Sequence, residues 1–485
     1  MINKKVILIP GNFNVLHPGH LKLFMHAKRL GGYLVVGVNS DHIAGSAVSF
    51  DQNVRLSAVK SHALVDDAFI IRESISEVIS DVRPDIVLKG REHQHLENPE
   101  LLALEHYGGR LLFGTGDVGG HPSSLVKQNG ASLLPITDQH IRAVLKQYSF
   151  RHKFVMEDLK ELVERFSTMS IVVFGDIIVD EYIESEALGM SREDSTVVIR
   201  PFESRKFLGG AGIVASHAAS LGVHTTLVAI KGKDSTAGFA EEKLAEYGVK
   251  SCLVEEQSRP TSLKQRYRID NKTHFRVSQL RQDAVSTECE RDLNSLASDL
   301  ISDPSKLNAI IFSDFNYGAI PSSLVHSVLA DLAGSGLTVA ADSQSSSQAG
   351  DLSKYIGASY VSPTEFEARS LTSNLNDGLV VLASQVFEQI ACPNVILTLG
   401  EDGVLVRAES GHTDMLPAIN QTAIDVSGAG DSFLVLSTLC LAAGADLFKA
   451  AFLGSVAAAI QVGRVGNEPI TAAEIIHVLH GLEAN

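Results

Sequence analysis

The chain has 485 residues, 45% hydrophobic and 20% charged, more than one hydrophobic core usually supports, so two or more globular domains are expected. Against 41 Lys and Arg stand 57 Asp and Glu, and the formal net charge of −16 argues against general nucleic-acid binding, since such a surface repels a phosphate backbone. Cys252, Cys289, Cys392 and Cys440 are scattered without a Cys-x-x-Cys pair, which speaks against a disulfide framework or a zinc site and for a reducing, cytoplasmic setting.

Short apolar runs alternate with helical patterns from the start. Residues 5–10 read as a buried strand, whose apolar run from Val6 to Ile9 is too short for the core of a signal peptide. A helix is expected over 21–30, a strand over 33–38, a helix over 54–64, and strands over 68–71 and 86–88. Strands separated by helices indicate a parallel sheet covered on both faces, and this unit, 1–130, closes near Gly130. Residues 131–169 read as a helical connector, with helical spacing at 141–148 and 156–166 and no strand between them. A second α/β series fills 170–485, with strands at 171–174, 225–230, 309–313, 338–342, 360–362 and 395–399. The apolar stretch 433–462 is broken by Asp446 and Lys449, so no membrane span is expected.

Directly after the first strand comes Gly11-Asn12-Phe13-Asn14-Val15-Leu16-His17-Pro18-Gly19-His20. Two histidines three apart at the turn into a helix can lie beside its N-terminus, where backbone amides and the dipole favour anions. Their N–H groups would complete a cradle for nucleotide phosphates and for charge developing at the α-phosphorus. A His-x-x-His pair alone is more often a pair of surface residues; the strand–loop–helix context makes it specific. The segment resembles the nucleotidyltransferase superfamily, and most closely the adenylyltransferase domain of ADP-heptose synthases. Val38-Asn39-Ser40-Asp41, Arg55, Val87-Leu88-Lys89-Gly90 and Gly120-His121-Pro122-Ser123-Ser124 match in order. The resemblance implies a Rossmann-like domain in which His17 and His20 are catalytic, while Gly11, Phe13, Asn14, Lys89, Ser123 and Ser124 bind nucleotide or phosphate. Asn14 stands where the family usually has Asp.

Asp425-Val426-Ser427-Gly428-Ala429-Gly430-Asp431-Ser432 precedes a long apolar helical run. Its glycines let backbone approach a phosphate, the following helix N-terminus supplies amides, and Asp431 can take the proton of an attacking hydroxyl. A lone Gly-x-Gly reads as a tight turn; the whole segment is far more specific. It resembles the signature of the ribokinase-like, PfkB-type carbohydrate kinases, an α/β fold with a small β lid. Gly175-Asp176-Ile177-Ile178-Val179-Asp180, Leu208-Gly209-Gly210-Ala211-Gly212, Ser362-Pro363-Thr364-Glu365-Phe366-Glu367 and Thr398-Leu399-Gly400-Glu401-Asp402-Gly403 match in order, over residues 156 to 475. The resemblance implies catalysis by Asp431, nucleotide binding by Gly400, Gly403, Ser427, Gly428, Ala429 and Gly430, and sugar binding by Asp180, Gly209 and Gly210. Glu367 would orient water around Mg²⁺. Lys264, Arg266, Arg268 and Arg276 bracket a turn at 270–272 and read equally as a substrate-phosphate cluster, with Arg268 on the sugar, or as a solvated hairpin face. Ile213, Tyr317, Gln344 and Thr364 depart from the heptose kinases, which have Asn, Lys, Lys and Asn there.

The two resemblances together imply a bifunctional, ATP- and Mg²⁺-dependent enzyme acting on sugar phosphates and a nucleoside triphosphate, with no nucleic-acid or membrane partner and a dimeric assembly. One domain would phosphorylate the anomeric hydroxyl of a sugar or sugar phosphate, and the other would transfer AMP to a sugar 1-phosphate. The order is reversed relative to the bifunctional heptose synthases, which usually carry the kinase first. Two alternatives stay open: a CTP-dependent enzyme acting on another sugar or polyol phosphate, and a non-catalytic sugar- or nucleotide-binding regulator.

Overall fold

The computed structural model describes residues 5–483 except 15, 17, 31, 46, 47, 49, 91–97, 115–138, 192, 193, 195, 270, 271, 346–349 and 421. Two compact units result: Met1–Ala131 with Thr372–Gln385 and Leu405–Met415, and Ser132–Leu371 with Val386–Val404 and Leu416–Asn485.

The first unit is built on five parallel strands, β1 (Lys5–Gly11), β2 (Gly32–Asn39), β3 (Asp67–Ile71), β4 (Ile86–Gly90) and β5 (Arg110–Gly114), in the order β3-β2-β1-β4-β5. Runs such as Ile7-Leu8-Ile9 in β1 and Leu34-Val35-Val36 in β2 are buried on both faces, which a sheet covered by helices on each side demands. Leu8, Val35, Ile71, Ile79, Val87 and Leu104 form one core cluster. The strand order reverses between β1 and β4, which opens a crevice beyond their carboxyl ends.

The second unit contains β6 (Ser170–Met190), β7 (Val197–Gly210), β8 (His224–Lys231), β9 (Lys250–Glu255), β10 (Ser262–Ile269), β11 (Lys272–Gln279), β12 (Ala309–Asp314), β13 (Thr338–Ser343), β14 (Tyr360–Val361) and β15 (Asn394–Thr398). The first part of β6 lies between β8 and β12 in a parallel core sheet ordered β9-β8-β6-β12-β13-β14-β15. From Ile177 onward the same strand pairs antiparallel with β7 and parallel with β10, so it also belongs to a small sheet ordered β7-β6-β10-β11. The strand expected from sequence ends at 174, with the Gly175–Asp180 motif beyond it. Ile177, Ile178 and Val179 are instead buried strand residues, because one ladder hands over to the next without a turn. At the handover Gly175 is required: a Cβ there would stand 2.2 Å from the Ser313 carbonyl oxygen.

The helices Gln139–Arg151 and Met156–Arg165, anticipated as a connector, lie within the second unit. Their apolar faces explain why. Ile141, Val144, Leu145, Leu159, Leu162 and Val163 are buried, and the fully buried Tyr148 packs among Phe154, Phe448 and Phe452. The Tyr148 hydroxyl donates to the Phe448 carbonyl at 3.3 Å, and the Lys160 ammonium pairs with Glu483 at 2.7 Å. Deleting an aromatic side chain from such a core costs about 3–5 kcal/mol. Tyr148→Ala should therefore lower the thermal unfolding midpoint of the second unit, followed by calorimetry, and leave the midpoint of the first unit in place.

Candidate active sites

In the first unit, β1 delivers Gly11–Asn14 to the crevice and the helix Pro18–Arg29 begins beside it. Phe13 adopts a left-handed backbone conformation (φ 46°), and its buried ring packs against His20, with ring centroids 5.0 Å apart, and against Phe24. That contact holds the His20 imidazole at the cavity wall. The loop is pinned from behind by Arg55, 1% exposed, which donates to the Asn12 and Phe50 carbonyls and pairs with Asp41 at 2.7 Å. Asn39 also donates to the Asn12 side chain at 2.7 Å. Asn14 accepts a bond from the Phe50 amide at 3.3 Å, a task an amide oxygen performs without a carboxylate's charge.

The resulting cavity, about 830 Å³, is lined by Gly11, Asn12, Phe13, Asn14, His20 and Lys89 among others. No acidic residue stands in the first turn of the Pro18–Arg29 helix, so its N-terminal end is suited to an anion. Lys89 lines the cavity too, but its ammonium is engaged by Glu100 at 2.9 Å and Asn98 at 3.0 Å. Glu100 is a site residue that sequence reasoning missed: it lies outside the matched motifs, and only the fold brings it to the end of β4. His17, Ser123 and Ser124 lie outside the described residues.

In the second unit, the helix Ala429–Ala442 starts at Gly428, which takes a left-handed conformation (φ 76°). A side chain there would collide with the Asn467 amide, its Cβ standing 2.4 Å from the Asn467 oxygen. Ser427, Gly428, Ala429 and Gly430 thus present backbone at a helix N-terminus whose first amides have no partner within the helix. Asp425 shapes the loop, accepting from the Tyr182 hydroxyl at 2.7 Å, the Ser427 amide at 3.1 Å and the Gly466 amide at 3.1 Å. Beside the helix start is a slot of about 390 Å³, lined mainly by Gly400, Gly403, Ile419, Val426, Phe433 and Ala459 and suited to a flat apolar group. Gly403 (φ 95°) is obligatory at its rim, since a Cβ would stand 2.1 Å from the Leu416 carbonyl oxygen.

Asp431 is buried in the first turn of this helix and accepts a bond from the Gln344 amide at 2.8 Å. The same Gln344 nitrogen reaches Asp342 at 3.0 Å, so the residue replacing a family lysine bridges two carboxylates. Burial pushes the Asp431 carboxyl up to about 6, helped by the nearby Asp180 charge and opposed by Gln344 and Lys264. Burial and the charges of Glu367 and Asp431 hold Asp342 well above the usual carboxylate range. Glu367 spends both oxygens on backbone amides, those of Ser345 at 2.6 Å and Thr364 at 2.8 Å, and Thr364 returns the bond as a helix cap.

Asp180 comes from the lid part of β6, with Gly209 close enough that a Cβ would stand 2.5 Å from its Oδ2. Gly210 (φ 55°) likewise admits no side chain against the Asp176 carbonyl oxygen. The basic cluster divides. Arg266 on β10 bridges Asp180 at 3.0 Å and the Ser427 hydroxyl at 2.8 Å, which joins the Asp180 carboxylate to the glycine-rich helix start. Lys264 stands over the rings of Phe315 and Tyr317, so a lid ammonium covers the tyrosine found in place of a family lysine. Arg276 lies on the solvent-exposed β11. Arg268, expected on the sugar, is instead buried against Tyr182 and paired with Glu184 at 2.8 Å; its register on β10 sets it opposite Glu184, while Arg266, two residues earlier on the strand, reaches the cradle. Ile213 is wholly buried inside the helix Ala211–Ser220.

A carboxyl raised from 3.8 to about 6 in the fold stabilises fully below about pH 4, and this contribution is lost as pH rises through about 6. Asp431→Asn removes the titration while keeping an oxygen for Gln344. The variant should be more stable than the parent at pH 8 by roughly 2–3 kcal/mol, with the gap closing toward pH 4, in denaturant unfolding at the two pH values.

Residues 168–472 match the pfkB family carbohydrate kinase model, and residues 8–104 match the cytidylyltransferase-like model. The bifunctional protein HldE of Trichlorobacter lovleyi is 29% identical over 322 residues, covering 66% of this chain and 64% of that protein. That of Rhodospirillum rubrum is 27% identical over 331 residues, covering 67% and 65%. The chain thus spans just under two thirds of the length of these relatives. Among solved structures, phosphofructokinase-2 from Escherichia coli aligns with a TM-score of 0.54 at 16% identity, covering 65% of this chain and 99% of that one. Ribokinase from Giardia lamblia aligns at 0.51 and 19%, covering 64% and 99%, and both likenesses establish a ribokinase-like fold. With that match running over more than half its length, the chain belongs to the pfkB family of carbohydrate kinases and carries a cytidylyltransferase-like domain ahead of its kinase domain.

Proposed function

We propose that the protein makes a nucleotide-activated sugar of the ADP-heptose type, the second unit phosphorylating the anomeric hydroxyl of a sugar or sugar phosphate and the first joining a sugar 1-phosphate to a nucleotide. The observation that carries the reading is Asp431, buried in the first turn of a glycine-led helix, with Arg266 tying the adjacent cradle to Asp180. Relatives named as bifunctional HldE proteins support the pairing of the two activities.

In the kinase step Asp431 takes the proton of the sugar hydroxyl as its oxygen bonds to the γ-phosphorus and the bond to ADP breaks. First-turn amides of the Ala429–Ala442 helix stabilise the charge on the transferring group. Asp180, Gly209 and Gly210 hold the sugar, and the apolar slot past Gly400 and Gly403 takes the base of ATP. Asp342 and Glu367, two buried carboxylates of which Asp342 is raised by the charge of Glu367, fit a nearby Mg²⁺ held through water, which would supply charge neutralisation between the phosphates. In the transferase step a sugar-phosphate oxygen attacks the α-phosphorus of ATP, pyrophosphate leaves, and His20, together with His17, donates to the charge that grows. Leu188, Met190, Phe202, Phe275 and Val277 expose apolar surface on the lid strands, which supports a dimer formed there. Among the described residues no helix is long and apolar enough to cross a membrane. The four cysteines are all free thiols, which supports a reducing, cytoplasmic setting.

The test is incubation of the full chain with ATP, Mg²⁺ and a panel of sugar phosphates, with ADP and pyrophosphate read separately. Asp431→Asn should abolish ADP release and leave pyrophosphate release from an added sugar 1-phosphate intact; equal loss of both would overturn the two-site reading, and faster pyrophosphate release with CTP would make the transferase a cytidylyltransferase. His20→Ala should lower kcat for pyrophosphate release about 10²–10³-fold at nearly unchanged nucleotide KM, because a donor aimed at developing charge acts on the transition state.

A further inference from the structure

The cavity of the first unit has two chemically different ends. At one, the helix Pro18–Arg29 presents its N-terminus and His20, without an acidic residue in its first turn. At the other, at the end of β4, Lys89 is paired with Glu100, their side chains 13% and 5% exposed. The remaining titratable groups of the lining, Arg72 and Glu73, come just after β3, at the far edge of the sheet from β4. The Lys89–Glu100 pair carries no net charge and attracts a phosphate less than the helix end does, so the phosphates belong with His20.

Glu100 has a second property. Its Oε1 holds Lys89, but its Oε2 is buried without a hydrogen-bond partner among the described residues. A buried carboxylate oxygen left bare costs more than a typical hydrogen bond contributes, and native structures leave few such atoms unless something else satisfies them. Glu100 lines the cavity and is 4% exposed, so the missing donor has to arrive with what fills the cavity. An anionic carboxylate accepts and does not donate, which excludes ionised phosphate oxygens as its partner and calls for an O–H or N–H donor.

On the proposed transferase reading, we infer that Glu100 is a ligand-binding residue of this cavity, fixing Lys89 with one oxygen and accepting a hydroxyl of a bound ribosyl or glycosyl group with the other. The ribose of the nucleotide and the ring of the sugar 1-phosphate offer the same donor, and kinetics separates them.

Glu100→Gln isolates the free oxygen, because the amide carbonyl keeps an acceptor for Lys89 while the amino group turns the other position from acceptor to donor. A hydrogen bond to a charged acceptor is worth about tenfold or more in binding. Pyrophosphate release by the full chain should then show KM raised at least about tenfold for one substrate only. If that substrate is ATP, the donor is the ribose, and 2′- or 3′-deoxy-ATP should lose its disadvantage in the variant. If it is the sugar 1-phosphate, the donor is a glycosyl hydroxyl, and the matching deoxy sugar should lose its disadvantage. Calorimetric titration with ATP and with the sugar 1-phosphate separately should show the same selective loss. An unchanged KM for both substrates in an active Glu100→Gln protein overturns the inference, as does a fall in kcat alone matching that of Lys89→Met, which would make Glu100 only a support for Lys89. A parent protein that releases no pyrophosphate with any nucleotide fails the transferase reading itself, and the titrations then still decide whether Glu100 touches a ligand.

Discussion

The kinase unit depends on one continuous ladder. β6 runs 21 residues, first as an inner strand of the core sheet and then as the spine of the lid sheet. Because the strand never turns, the register of the core fixes the register of the lid. Asp176 at the handover and Asp180 four residues on are therefore placed by the same hydrogen bonds that build the sheet. β10 pairs with this outer half from Ile178 to Glu184, and that pairing sets Arg266 opposite Tyr182 and within reach of Asp180 and Ser427. The lid, the carboxylate and the glycine cradle are positioned by one backbone.

That arrangement concentrates charge in a dry place. Asp176, Asp314, Asp342 and Asp431 are all buried near the carboxyl ends of the core strands or the adjoining helix, where burial and mutual repulsion raise several of their proton affinities. Polar partners contain the cost. Lys354 and the Tyr355 hydroxyl hold Asp314, the Phe315 amide holds Asp176, and Gln344 spans Asp342 and Asp431. Folding alone gains nothing from gathering carboxylates in this way, and the strain is the kind expected where a protein keeps a base ready for proton transfer.

Much of this was legible in the sequence because glycine motifs and apolar runs are local. Four of the five strands of the first sheet, the Asp431 segment and the glycines at 209, 210, 400, 403 and 428 could be read from residue type and order alone, while β5 could not. Other features depended on pairing. The outer half of β6, β7 and β9 have mixed or exposed patterns that gain meaning only beside their neighbours, as the wholly exposed β11 also does. Which member of the Lys264–Arg276 cluster reaches the cradle was undecidable without strand register, which sets Arg266 opposite Tyr182 and Arg268 opposite Glu184. Glu100 carried no motif. The helices 139–165 read as a connector because the rings that bury Tyr148 from across the fold, Phe448 and Phe452, lie about three hundred positions later.

The bridge made by Arg266 bears on how the kinase pocket fills. With its guanidinium across Asp180 and the Ser427 hydroxyl and its face toward Tyr182, the pocket contains an internal cation where anionic and hydroxyl-bearing ligands would make their contacts. A molecule that takes the Asp180 oxygen facing Arg266 has to exchange with that guanidinium. Filling that position is then a displacement, in which the protein trades one set of bonds for another. Affinity in such a pocket measures how much better the guest is than the occupant the protein carries itself.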